Sequence, residues 1–118
     1  MAAAGSVMGA LFVDPGRLSA RLVLEAPTEL PDGQGGVSES WTQVAALWGR
    51  IEPLRAVARE EASAATAPIT HRVTIRYRDN VLHAMRFVHR GRNLLIRTVR
   101  DPDETRRYLV CDCEENQP

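Results

Sequence analysis

From Ile69 to Arg78 apolar and polar side chains alternate without interruption, Ile69, His71, Val73, Ile75 and Tyr77 against Thr70, Arg72, Thr74, Arg76 and Arg78. Successive side chains of a strand point to opposite faces, so this run predicts a half-buried strand with Val73, Ile75 and Tyr77 in the core. Trp41 to Glu52 predicts a longer one, with Trp41, Gln43, Ala45, Leu47, Gly49 and Ile51 on one face and Val44, Ala46, Trp48 and Arg50 on the other. Apolar groups on both faces imply cover on both sides, with the core, Trp41 included, on the first and a helix or neighbouring subunit on the second.

Shorter runs complete the pattern. Arg17 to Ala26 alternates through Leu18, Ala20, Leu22 and Leu24 and predicts a first strand that Pro27 ends. Pro31 to Gly36 predicts a turn-rich loop. Met85 to His89 and Leu94 to Val99 predict two strands joined by a hairpin turn within Arg90 to Asn93, and Arg107 to Cys113 predicts the last.

Only residues 53–68 break the period of two. This stretch is rich in alanine, carries Arg55, Arg59, Glu60 and Glu61, and lies between Pro53 and Pro68, which predicts a short helix inserted between strands 2 and 3. Its apolar stripe is shallow, so loose docking and mobility are expected of it. Residues 1–15 read as an N-terminal arm and residues 114–118 as a frayed tail. The fold class expected is therefore mostly β, a small antiparallel β-barrel or sandwich of about six strands with one inserted helix, in a single domain spanning the chain.

The composition fits this reading. At 118 residues, 44% apolar and 25% charged, the chain has enough apolar material for one modest core. No apolar run approaches the roughly 20 residues of a membrane-spanning helix, and Met1 to Ser6 lacks the basic start of a signal peptide, so no membrane partner is expected and the product is expected in the cytosol.

Charge adds one feature. The formal net charge is zero and all 15 cations are arginine, yet from Ile69 to Arg100 eight arginines stand against the single acid Asp79, a local +7 that the rest of the chain offsets. Guanidinium groups make forked bonds to carboxylates, and a basic region against an acidic one suits head-to-tail packing of identical subunits. Arg72, Arg76 and Arg86, which project away from the expected core, are candidate subunit contacts together with Trp48 and Arg50.

Candidate chemistry is sparse. His71, His83 and His89 lie on separate segments without a companion carboxylate, and Asp101-Pro102-Asp103-Glu104 lacks the glycine and spaced ligands of a calcium loop. Cys111 and Cys113, two apart on one strand face, are expected to be reduced and structural, since a zinc site needs more ligands than this pair. No catalytic, metal or cofactor site is expected, and the chain is not expected to be an enzyme.

One ordered set of motifs goes further. A Gly-rich loop with Asp32-Gly33 and Gly35-Gly36 precedes Trp41, then Trp48 and Arg50-Ile51-Glu52-Pro53-Leu54. The helical insertion follows, then His71-Arg72-Val73 with Tyr77-Arg78, Met85-Arg86, Gly91-Arg92, Leu95-Ile96 and Tyr108-Leu109-Val110. From about Gly16 to Glu115 this set resembles the phage head-tail joining proteins, the connector, adaptor or stopper subunits of tailed-phage or gene-transfer-agent necks. Gly49 departs from the alanine that the resemblance leads one to expect after the tryptophan. The resemblance implies a small β-barrel that works as a homo-oligomeric ring in the neck of a virion or phage-like particle, after assembly in the cytoplasm of the producing cell. It implies a portal or adaptor protein on the head side, a tail terminator or tail protein on the tail side, and double-stranded DNA in the channel, touched nonspecifically by Arg55 and Arg59. The alternative is a monomeric, nonspecific nucleic-acid-binding β-barrel that uses the arginine-rich strands.

Overall fold

A computed structural model describes residues 15–31, 33, 37–54 and 69–116. Among the described residues six strands form, β1 (Ala20–Pro31), β2 (Val37–Pro53), β3 (His71–Arg76), β4 (Arg86–His89), β5 (Arg92–Arg100) and β6 (Tyr108–Asn116). They close into an antiparallel barrel in the order β1-β2-β3-β6-β5-β4, with β4 returning to β1. Closure leaves no sheet edge around the barrel wall, which selects the barrel from the two architectures that the alternation allows. Of the helical insertion expected over residues 53–68, Pro53 instead ends β2 and Leu54 bonds back to Thr70, while residues 55–68 lie outside the described residues, as do residues 1–14 of the expected arm. Among the described residues, helical structure amounts to a 3₁₀ turn at Pro15–Arg17.

Alternation fills the barrel from every strand. Leu22 and Leu24 of β1, Val73 and Ile75 of β3, Phe87 of β4, Leu94 and Ile96 of β5, and Leu109, Cys111 and Cys113 of β6 are buried in one cluster. Val81 and Met85, between β3 and β4, close it, with Leu47, Ile51 and Tyr77 partly buried against it. Gly49 is required here: a Cβ on it would sit 2.6 Å from Leu22 Cδ1 and 3.0 Å from the Thr74 carbonyl oxygen. The departure from alanine at this position therefore answers a close approach of β2 to β1 and β3.

Two bulges bend the period of two. Leu24 lies opposite Ala45 but Glu25 lies opposite Gln43, so Val44 is an extra residue in β2. Residues before it face the other way from the strict alternation. Trp41, expected in the core on the odd face with Leu47 and Ile51, thus lies opposite Pro27 on the outer face and is only half-buried. A second bulge at Arg97 separates the pairs Ile96–Cys113 and Thr98–Asp112, so that both Ile96 and Val99 turn toward the core.

β1 and β2 also run further than their patterns suggest. β1 pairs with β4 only from Val23 to Glu25, and beyond that it pairs with β2 alone as far as Pro31 opposite Val37. The result is a two-stranded arm that leaves the barrel wall. Pro27, expected to end the strand, is tolerated because β1 is an edge strand there. The chain end differs as well: β6 continues past Cys113 to Asn116, and Glu115 N–H donates to Thr70 Oγ1 at 2.8 Å, so Glu114 and Glu115 belong to the sheet and not to a frayed tail.

Candidate functional site

β2 and β3 place the two ends of residues 55–68 side by side. Pro53 lies opposite His71, and Leu54 N–H donates to the Thr70 carbonyl at 2.9 Å. The chain therefore leaves β2 and returns to β3 at this one end of the barrel, and Arg55 and Arg59 lie outside the described residues. Beside that base, Arg17, Arg50, His71, His89 and Arg92 line an open depression. Several of these groups are already engaged. Arg92 forks onto Glu115, with Nε and Nη2 both at 2.8 Å, and the carboxylate's hydrogen bonds raise its pKa above the ordinary guanidinium value. Arg50 reaches Glu52 at 3.4 Å. His89 Nδ1 lies 3.0 Å from the Arg21 carbonyl, which only accepts, so Nδ1 carries the proton. Arg17 is exposed and, among the described residues, has no carboxylate partner.

The outer wall holds a second polar centre. Asp112 points outward between Cys111 and Cys113 yet is buried, and it accepts from Arg72 Nε at 2.9 Å, Arg100 Nη1 at 3.1 Å and Thr98 Oγ1 at 3.2 Å. A buried carboxylate is tolerable only when paired and hydrogen-bonded in this way. Across the barrel Arg86 Nε donates to Glu25 at 2.7 Å while its guanidinium lies 4.1 Å from the Trp41 ring centroid.

These contacts sort the candidate residues. Val73 and Ile75 are fully buried, Tyr77 packs at the edge of the core, and Trp41 lies outside it under Arg86. Of the candidate subunit contacts, Arg50, Arg72 and Arg86 have carboxylate partners within their own chain. Trp48 remains 52% exposed with Arg21 5.1 Å from its ring centroid, and Arg76 is exposed with no such partner among the described residues. The alternation fails to single out Asp112, Glu25 and Glu115. The available signal for Asp112 was its position in an outward register between two cysteines, opposite an arginine-bearing strand.

Both cysteines are free and buried on the inner face. Burial is the main cause that pushes the Cys111 thiol up to about 12, with the Asp112 charge adding to it, and burial raises Cys113 as well. Among the described residues no group of three His, Cys, Asp or Glu side chains is placed to hold a metal ion, and no nucleophile stands beside a base in the manner of a catalytic centre. No described helix is long and apolar enough to cross a membrane.

Comparison with known proteins gives four findings. The solution structure of protein SF1141 from Shigella flexneri 2a is similar, with a TM-score of 0.69 and 27% identity over 87% of this chain and 96% of that one. A chain from the virion of a native gene transfer agent particle has the same fold, with a TM-score of 0.56 and 22% identity over 81% of this chain and 93% of that one. No curated protein matches. The family model for phage head completion proteins matches residues 13–116, which takes in all six strands and both bulges, and the chain belongs to that family.

Proposed function

We propose that this chain is a structural subunit of a virion neck, a head-tail connector or stopper that forms a ring between the portal or adaptor of a DNA-filled capsid and the tail terminator or tail protein. The family match over residues 13–116 carries the reading, since head completion is a structural step of particle assembly and nearly the whole chain takes part in the match. A gene transfer agent virion that contains the same fold supports a place in the particle.

The geometry supports a division of labour along the barrel. The chain leaves β2 at Leu54 and returns at Ile69 on the same end as the basic depression, and the β1–β2 arm leaves the wall at the other. In a ring with the first end toward the axis, Arg55, Arg59 and Arg17 meet the phosphates of passing DNA, a contact that reads charge and not sequence. Arg50 and Arg92, held by carboxylates, give the wall a lower net charge and a weaker grip.

Deletion of the gene tests the role. Expected are DNA-filled heads and free tails that do not join, restored by the gene supplied in trans. Normal yields of tailed particles from the deletion strain count against a neck role. For the channel, Arg55→Ala with Arg59→Ala is expected to leave joining intact and slow DNA passage.

A further inference from the structure

Three polar side chains close the barrel at the end where the chain leaves β2. His71 precedes Val73 by two residues, Arg92 precedes Leu94 by two and Glu115 follows Cys113 by two, so all three continue the core-facing sides of their strands. Arg92 Nη2 lies 3.2 Å from His71 Nε2 and 2.8 Å from Glu115 Oε1, and Arg92 Nε lies 2.8 Å from Glu115 Oε2. A guanidinium only donates, so His71 Nε2 accepts, and the imidazole is neutral with its proton on Nδ1. That proton goes to Thr70 Oγ1 at 2.8 Å, which also accepts the Glu115 N–H. Glu115 Oε1 stands 3.8 Å from Nε2, just beyond hydrogen-bond reach. Among the described residues the other charged or titratable groups around this end come from four elements. They are Arg17 ahead of β1, Arg50 of β2 on Glu52, His89 of β4 with Nδ1–H on the Arg21 carbonyl, and Cys113 of β6 opposite His71, a thiol that burial keeps protonated.

We infer that His71 is a proton-operated latch on Arg92, which holds the guanidinium against Glu115 while neutral and releases it to an anion when protonated. A proton from solvent can enter only at Nε2, and it turns that nitrogen from acceptor into donor. Nε2–H then bonds to Glu115 Oε1. Arg92 Nη2 loses both of its acceptors in this one step, while Nε keeps Oε2. The Arg92 side chain is 46% exposed against 12% for Glu115, so the guanidinium is the partner that can turn into the open depression beside it. Arg92 and Glu115 cancel while His71 is neutral, so the added proton leaves one net positive charge at this end. The freed N–H groups and exposed Arg17 suit an anion with several oxygens, for this chain the phosphate of DNA. The choice of DNA rests on the neck reading, whereas the latch rests on the three side chains alone. Its effect is a grip on DNA that tightens as pH falls.

The native protein supplies the first test. Imidazoles titrate between about pH 8 and about pH 5, where carboxylates and guanidinium groups keep their charges. Nitrogen NMR of the full chain at the upper end of that range is expected to show His71 protonated at Nδ1 alone. On acidification the Arg92 Nε–H signal is expected to move with the same midpoint as the His71 ring. An Nε2–H tautomer at the upper end, a His71 ring that takes up no proton across the range, or an Arg92 signal indifferent to the titration overturns the latch. Binding of a short DNA duplex of mixed sequence reads the consequence. Acidification across the same range is expected to tighten binding about tenfold at low salt and to steepen the slope of log affinity against log salt by about 0.9, the value of one added phosphate contact. His71→Gln places an amide oxygen where Nε2 accepts and takes up no proton, so it is expected to flatten both changes, whereas His89→Gln is expected to retain them. Duplex binding that does not respond to pH, or a response that survives His71→Gln, overturns the inference. The NMR measurement needs no variant and decides the latch even where His71→Gln fails to fold. Tailed particles at normal yield from a strain without the gene overturn the neck reading and leave the latch standing.

Discussion

Single residues bear out the period of two where strands stay regular and defeat it where they bulge. Val73 and Ile75 sit in the core as their alternation requires, but one extra residue at Val44 turns Trp41 to the outer face, where Arg86 covers its ring. No spacing rule marks a bulge in advance, because the bulged residue is itself apolar and leaves the pattern looking unbroken. The energetic consequence is measurable. Phe87, fully buried, is expected to cost about 3–5 kcal/mol on replacement by Ala, whereas Trp41→Ala is expected to cost about 1–2 kcal/mol, the scale of a half-buried cation–π contact. Reversible denaturant melts of both variants check the order. The cysteines give a second test. An unfolded thiol loses its proton near 9.0, while Cys111 in the barrel keeps it to about 12. A folded pKa above the unfolded one contributes stability that is complete below about 9 and lost as pH rises toward 12. Below pH 9 thiol reagents are accordingly expected to label Cys111 and Cys113 only at the rate of unfolding, and rapid labelling of folded protein contradicts their enclosure.

At the scale of elements, the strand count and the turns were legible, and the lengths of β1 and β2 were not. Gly91 and Arg90 adopt φ of 78° and 53°, the left-handed pair that a two-residue hairpin turn requires, and Gly91 signalled it. Pro27 argued for a strand end, yet it lies where β1 has lost β4 as a neighbour, so its missing N–H costs little. Outward arginines of one strand also differ in a way that alternation hides. Arg72 and Arg76 share the outer face of β3, but only Arg72 serves the buried Asp112. Arg72→Glu is expected to cost about 3–5 kcal/mol by setting a second carboxylate against the first, and Arg76→Glu within about 0.5 kcal/mol of zero, both read from thermal melts. The Val44 bulge makes a complementary prediction. Its deletion keeps Ala45 opposite Leu24 and Gln43 opposite Glu25, so every side chain keeps its face and only the bend of the arm is lost. Stability within about 1 kcal/mol of native, with impaired joining of heads to tails, is the expected result. Unimpaired joining means that arm direction does not matter for assembly.

The whole molecule is a closed barrel whose seams are unequal. β3 and β6 share six register pairs, from His71–Cys113 to Arg76–Tyr108, and β1 and β2 share twelve. The seam between β1 and β4 has three, Val23–Val88, Leu24–Phe87 and Glu25–Arg86. β4 is itself only four residues long, so few main-chain bonds oppose its separation from β1. What holds this seam is local: Phe87 in the core on one face, and on the other the Arg86–Glu25 ion pair, whose two side chains are about four-fifths buried, with Trp41 stacked over the guanidinium. Local opening follows the weakest set of contacts, so the barrel is expected to open here before it unfolds globally. Native-state hydrogen exchange reads this directly. Amides of Arg86 to Val88 are expected to exchange through an opening of lower free energy than those of Val73 to Ile75, which sit between β2 and β6. Glu25→Gln removes the charge and keeps the shape, and it is expected to speed exchange at Arg86 to Val88 while leaving Val73 to Ile75 unchanged. Equal protection of the two sets, or an equal response of both to Glu25→Gln, means that the barrel opens as one unit and that the short seam is as firm as the long ones.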